Sequence, residues 1–213
     1  MMDCAFLFAD RQMEQTFKGF LGKENFHRSL GARSFTYDSF VPDRRFGDSG
    51  VYKQGHVFLR RYYSICQHAV VVLDHRWEGA PEPSIIQEKM KANLVQNGWR
   101  EENVEVIVIV PELEVWLCQS SQHVVDAFHF DYTPHASLKA WLEAEEFWDP
   151  TKPKPAHPKD AFMKMQKISG IPRSGATYAK ISSHISIRGC VDPAFCLLRD
   201  TLQRWFPPDG GQQ

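Results

Sequence analysis

Carboxylates that close apolar runs are the residues of this chain best placed to do chemistry. Val70-Val71-Val72-Leu73 ends on Asp74, with Glu78 four residues beyond, and Val104 to Val110 runs straight into Pro111-Glu112-Leu113-Glu114-Val115-Trp116. Nearer the start, Cys4 to Ala9 ends on Asp10, and Glu14 follows by four residues. Carboxylates gathered at one place repel one another, so such a cluster either binds a divalent cation or carries raised pKa values. Hard oxygen donors favour Mg2+ or Mn2+. A cation held by one or two carboxylates with open positions suits phosphate cutting or transfer, because it stabilises charge and activates water. The expected metal ligands are Asp74, Glu78, Glu112 and Glu114. A plainer reading stands beside each, since acids after buried strands also cap helices, and Glu14 in a first helical turn suits the helix dipole. His75, next to Asp74, is either a general base oriented by that carboxylate or an ordinary loop histidine.

For these acids to meet, the runs that carry them must be strands of one sheet with their ends on one edge. Short, wholly aliphatic runs read as strands buried on both faces, which a parallel sheet demands. The carboxyl edge of such a sheet is where ligands gather. Asp10 and Gly22 bracket a helix over Arg11 to Leu21 with Met13, Phe17, Phe20 and Leu21 inward. Residues 33 to 41 read as a second strand, and Pro42 to Gly55 as a polar, Gly-rich loop carrying Asp43, Arg44, Arg45 and Asp48. His56 to Cys66 reads as a helix feeding the strand that ends at Asp74, and Ser84 to Gln96 as another with Ile85, Ile86, Met90 and Leu94 inward. The order is strand, helix, strand, helix, strand, helix, strand, an α/β pattern with right-handed crossovers. Beyond it come helices at Leu113 to Cys118, Gln122 to Phe128, Ser137 to Trp148, from Pro158 onward, and at Pro193 to Phe206; Tyr178 to Ile187 fits helix or strand. The expected organisation is an α/β core over 1–118 and a mostly helical extension over 119–213, with a Pro-rich connection at 150–158.

Composition narrows the class. The chain has 213 residues, with 25 Lys and Arg against 26 Asp and Glu, enough length for one sizeable core. Its five cysteines form no CxxC pair and read as free thiols. No apolar run reaches the roughly 20 residues of a membrane helix, and the first residues do not resemble a signal peptide, so a cytoplasmic protein without membrane contact is expected. Gly-rich phosphate loops, the GxSxG elbow and HExxH are all missing from the sequence, which removes the mechanical basis for those chemistries. The near-neutral balance hides an asymmetry: Glu101 to Asp149 holds eleven acids and one base, Thr151 to Cys190 eight bases and one acid. Lys159, Lys164, Lys167, Arg173, Lys180 and Arg188 are either a phosphate-contacting strip for nucleic acid or ordinary solvated cations.

The segments Phe8-Ala9-Asp10-Arg11-Gln12-Met13-Glu14, Val71-Val72-Leu73-Asp74-His75, Val110-Pro111-Glu112-Leu113-Glu114-Val115-Trp116-Leu117, Pro158-Lys159, Tyr178-Ala179-Lys180-Ile181 and Asp192-Pro193-Ala194-Phe195 together resemble an uncharacterised bacterial family with a Toprim-like domain, found in phage-defence gene clusters that include methylation-associated systems. The resemblance spans nearly the whole chain in order. It implies a Toprim-like α/β fold and a metal-dependent nuclease working with other defence-system subunits. Toprim domains hold Mg2+ with an acid after the first strand and an Asp-x-Asp after a later one. Carried over, the first role falls on Glu14 and the second on Asp74, with Glu112 and Glu114 as further catalytic acids. The sequence departs at position 76, which is Arg76, and a cation there repels a metal. Glu78 or the Glu112/Glu114 pair would substitute; otherwise the fold serves as a non-catalytic nucleic-acid sensor or adaptor.

Overall fold

The computed structural model describes residues 1–208; the last five residues of the expected extension lie outside the described residues. Four strands, β1 (Met2–Phe8), β2 (Tyr37–Phe40), β3 (Cys66–Asp74) and β4 (Val104–Ile109), form one sheet in the order β2-β1-β3-β4. Every pairing is parallel, with Phe8 beside Val72 and Asp74 beside Ile109. β1, β3 and β4 are buried along almost their whole length, as their unbroken aliphatic runs require. The α/β class expected from the sequence is therefore the observed one.

Helix α1 (Arg11–Leu21) follows β1, and α2 (Phe26–Leu30) completes the link to β2. Helices α3 (Gly47–Leu59) and α4 (Pro83–Gln96) link β2 to β3 and β3 to β4, and they pack against each other. The route from β1 to β2 runs one way across the sheet and that from β2 through β3 to β4 runs the other. The strand order therefore reverses at β1 and β3, the position where loops diverge and leave a crevice at the carboxyl edge.

The second half is helical: α5 (Glu114–Leu117), α6 (Gln122–Phe128), α7 (Leu138–Ala144), α8 (Pro158–Ser169), α9 (Gly175–His184) and α10 (Pro193–Trp205). It shares the core of the sheet. α9 lies along α1, where Gly19 permits a close approach: a Cβ there would sit 1.9 Å from Ser182 Oγ and 2.6 Å from the Ala179 carbonyl. α10 packs on β4 and is anchored by Asp192, which caps it at the Phe195 amide and accepts from Trp116 Nε1 at 2.9 Å. At the other end of the sheet, the His68 ring stacks on Trp205 with centroids 4.3 Å apart.

Several boundaries differ from the sequence reading. The expected loop over Pro42 to Gly55 is helix from Gly47, and that helix ends at Leu59 rather than continuing to Cys66, which opens β3. Three glycines lower the intrinsic helix propensity of this stretch. Packing overrides them: Gly55 lets the helix approach Leu7 and Met90, with Val51 and Leu59 buried on the same face. In α4, Ile86, Met90 and Leu94 are inward as expected, but Ile85 is half-exposed. α7 stops at Ala144, four residues short of the expected end, and Glu146 takes a positive φ of 61° in the turn that follows. Of the stretch from Tyr178 to Ile187 that fitted either helix or strand, Tyr178 to His184 lies in α9, a helix from Gly175 to His184, and Ile185 to Ile187 follow it in neither.

Candidate functional site

Parallel strands deliver their following residues to one edge, and four acidic positions reach it. Asp10 follows β1 and caps α1, accepting from the Met13 amide at 2.8 Å. Asp74 is the last residue of β3, and Glu112 and Glu114 follow β4 beyond the cis Val110–Pro111 bond. A further acid comes from α3: Asp48, the second residue of that helix, whose Oδ1 accepts from the Asp74 amide at 2.8 Å. Asp74 Oδ1 in turn accepts from the Leu113 amide at 2.8 Å. Three connections, those after β2, β3 and β4, are thus tied by two carboxylates.

These acids divide into two groups by what neutralises them. Glu112 is fully buried; Arg76 donates to its Oε1 at 2.9 Å, and Lys159 Nζ lies 3.4 Å from its Oε2 without completing a hydrogen bond. Arg76 also reaches Asp160 on α8 at 3.5 Å, and its guanidinium pKa is raised, first by the Glu112 charge. Glu114, buried as well, accepts a 2.5 Å hydrogen bond from the Tyr178 hydroxyl and a 3.3 Å one from Arg173. Burial raises the Glu114 pKa, with Tyr178, Lys159 and Arg173 opposing; burial and the Glu114 charge push the Tyr178 phenol upward.

Glu14 is held apart from this cluster. It accepts from Arg11 at 2.7 Å, Lys18 at 3.0 Å and Ser39 at 2.9 Å, and so ties α1 to β2. Burial acts to raise its pKa, but the three donors outweigh it and leave the carboxyl below its ordinary value.

Asp48 and Asp74 form the second group, with no ion-pair partner within 4 Å among the described residues. Burial raises the Asp74 pKa well above the usual range, reinforced by the charges of Asp48, Glu114 and Asp10. Asp48 is lifted from 3.8 to about 6, by burial first and then by Asp10. Carboxylates desolvated side by side cost free energy in the ionised state, so the edge stores a demand for positive charge or protons.

The other expected site residues are placed as follows. Glu78 is exposed in the turn after β3. Lys159 and Arg173 face the edge through Glu112 and Glu114. Lys164 pairs with Glu145 at 3.5 Å, and Lys167 lies on the same solvent face of α8, opposite Phe162 and Met165. Lys180 Nζ approaches the Asp126 carbonyl at 3.4 Å, and Arg188 is exposed in the loop after α9. His75 bonds the Pro81 carbonyl through Nε2 at 2.9 Å. Asp48 is the site residue that sequence reasoning passed over. Its signal was an acid at the second position of a helix hidden by glycines.

No group of three or more His, Cys, Asp or Glu side chains among the described residues is arranged to hold a metal ion. The four expected ligands, Asp74, Glu78, Glu112 and Glu114, are thus not gathered into such a group among the described residues. What remains is the Asp48/Asp74 pair, and two carboxylates suffice for Mg2+, which keeps waters and takes phosphate oxygens for its other positions. No described helix is long and apolar enough to cross a membrane. No family model, curated protein or solved structure matches the chain.

Proposed function

We propose that this chain is a Toprim-like, Mg2+- or Mn2+-dependent phosphodiesterase acting on nucleic acid as one subunit of a bacterial antiviral defence system. One observation carries the reading: Asp48 and Asp74 are the acids of the edge whose pKa burial raises with no cation in contact, while Glu14, Glu112 and Glu114 each have at least one cation in contact. Strongly perturbed carboxylates in a crevice mark functional positions, and a divalent cation relieves their burial cost directly. Asp48 then takes the place of the acid that position 76 lacks. The cation would supply charge stabilisation and an activated water.

The chain's own groups do the rest. Asp74 and Asp48 would hold the cation, the Oδ1 of Asp48 fixed by the Asp74 amide and the Oδ1 of Asp74 by the Leu113 amide. Lys159 and Arg173, partly exposed and already at the edge, bind the non-bridging oxygens of the phosphate. Glu112 and Glu114 position those two cations. Tyr178, buried against Glu114, fixes the latter's orientation.

Calorimetric titration of Mn2+ and Mg2+ into the purified chain tests this, repeated with Asp74→Asn and Asp48→Asn and followed by cleavage assays on DNA and RNA. Binding that both variants lose, with metal-dependent cleavage in the parent, is the expected result. No binding at millimolar metal sinks the enzyme reading. It would leave the non-catalytic nucleic-acid sensor or adaptor, which the pairing of Glu112 with Arg76 and Lys159 favours, since cations there do the work a metal would do.

A further inference from the structure

Helix α3 carries charge that neither the sheet nor the acidic edge uses. From Arg44 to Arg61 the chain holds five bases and one acid, and that acid, Asp48, is turned toward Asp74. Lys53, His56, Val57 and Arg60 follow the i, i+3, i+4, i+7 spacing of a single helix face, opposite the buried Val51, Gly55 and Leu59. Lys53 and Arg60 are separated by about 10 Å along the axis. Arg45 is paired with Asp43. Arg44, Lys53 and Arg60 have no ion-pair partner among the described residues, in contrast to Lys159, Lys164 and Arg173. A row of unpaired cations repels itself and gains most from a polyanion.

This row leads to a cavity. At the N-terminal end of α3, Arg44 and Gly47 join Asp10, Arg11, Gln12 and Asp43, the last paired with Arg45, around a space of about 510 Å³, beside the carboxyl ends of β1 and β2. That volume is in the range of small-molecule sites and accommodates a nucleotide. We propose that the outer face of α3 and this cavity form the track for a single nucleic-acid strand, its phosphates lying along Arg60, Lys53 and Arg44 and one nucleotide entering beside Asp48 and Asp74. A single strand supplies that nucleotide directly, whereas a duplex must first unpair it. The inference rests on the phosphodiesterase reading for the fate of the strand but not for its binding.

The test is fluorescence anisotropy of a labelled oligothymidylate with the full chain in EDTA, across a salt series, so that hydrolysis plays no part. The triple variant Arg44→Gln/Lys53→Gln/Arg60→Gln is expected to bind more weakly, with a log affinity against log salt slope shallower by about 2, since each lost phosphate contact removes about 0.7 for single strands. Lys164→Gln/Lys167→Gln, on the outer face of α8, is expected to leave the slope unchanged. All five side chains are exposed, so melting temperatures report whether the fold persists. An unchanged slope in the triple variant, or an equal loss in the α8 control, overturns the track. Strand binding that depends on α3 without any metal-dependent cleavage upholds the track and refutes the phosphodiesterase.

Discussion

Removing the charge of Asp48 while keeping its hydrogen bond should stabilise the protein, and by an amount that depends on pH. Asn at this position keeps an Oδ1 acceptor for the Asp74 amide but cannot ionise. The native carboxyl is lifted from 3.8 to about 6, mainly by burial, and a gap of that size corresponds to about 3 kcal/mol. Because the folded value lies above the unfolded one, the folded state retains a proton that the unfolded chain has released. The group's contribution is therefore fully present below about pH 4 and is lost as pH rises through about 6. Asp48→Asn should match the parent near pH 4 and exceed it by up to about 3 kcal/mol near pH 8, roughly 6–12 °C in melting temperature for a chain of this length. Urea unfolding of both proteins across that range, in EDTA so that no cation stabilises the folded state, reads the difference directly. Groups away from the pair, His68 among them, contribute equally to both proteins and cancel; Asp74, whose pKa the Asp48 charge helps to raise, is relieved in the variant, which acts in the same direction. Adding Mn2+ should then raise the parent's stability and leave the variant's unchanged. Parallel pH curves, or a variant less stable than the parent near pH 8, would refute the claim that this carboxylate is buried at a cost.

Other perturbations probe the supports of the site. Divalent-metal affinity measured by calorimetry should fall as pH drops from about 8 toward 5, because protons compete for Asp48 and Asp74; a pH-independent affinity would place the metal elsewhere. Tyr178→Phe leaves buried Glu114 with Arg173 alone and should destabilise by about 1–3 kcal/mol in denaturant titration. Gly19→Ala gains about 1 kcal/mol of helix propensity, but its methyl meets the Ala179 backbone at 2.6 Å, so α1 and α9 must separate and a net loss of about 1–3 kcal/mol is expected. Burial depresses the His68 pKa from 6.5 to about 4, so its contribution is present above about pH 6.5 and is lost as pH falls toward 4. His68→Phe, followed through the fluorescence of its stacking partner Trp205, should remove that part of the slope.

What the sequence revealed was what local pattern controls. β1, β3 and β4 were legible because strands buried on both faces leave unbroken aliphatic runs, and Asp74 was legible because the run stops on it. α1 was legible to the residue, since Asp10 and Gly22 both act as caps. α3 was not, because three glycines mask its helical pattern while one of them, Gly55, serves an approach to Leu7 and Met90 that local propensity cannot register, and Asp48 was hidden with it. Nor could spacing show that Lys159 and Arg173 stand against Glu112 and Glu114, partners 47 and 59 positions away. Sequence alone sorts charges by sign; folding sorts them by partner.

That sorting bears on Arg76, the residue that argues most directly against a metal. A cation beside a metal site weakens binding in proportion to its uncompensated charge and proximity. Here the guanidinium is committed to Glu112 at 2.9 Å and shared with Asp160 at 3.5 Å, so its charge is largely balanced locally. The same pairing removes Glu112 from the set of free acids and leaves Asp48 and Asp74 as the pair without compensation. Arg76 and Asp48 thus act on the edge in opposite senses: a cation stands after β3, and an acid is delivered from α3. Substituting Arg76→Met separates the two effects. If Arg76 only neutralises Glu112, the variant should lose stability by about 3–5 kcal/mol, the cost of an uncompensated buried charge, with Lys159 as a partial substitute that lowers this figure. Metal affinity at Asp48 and Asp74 should hold. A variant that folds as well as the parent and binds metal more than tenfold tighter would show that Arg76 opposes the cation directly.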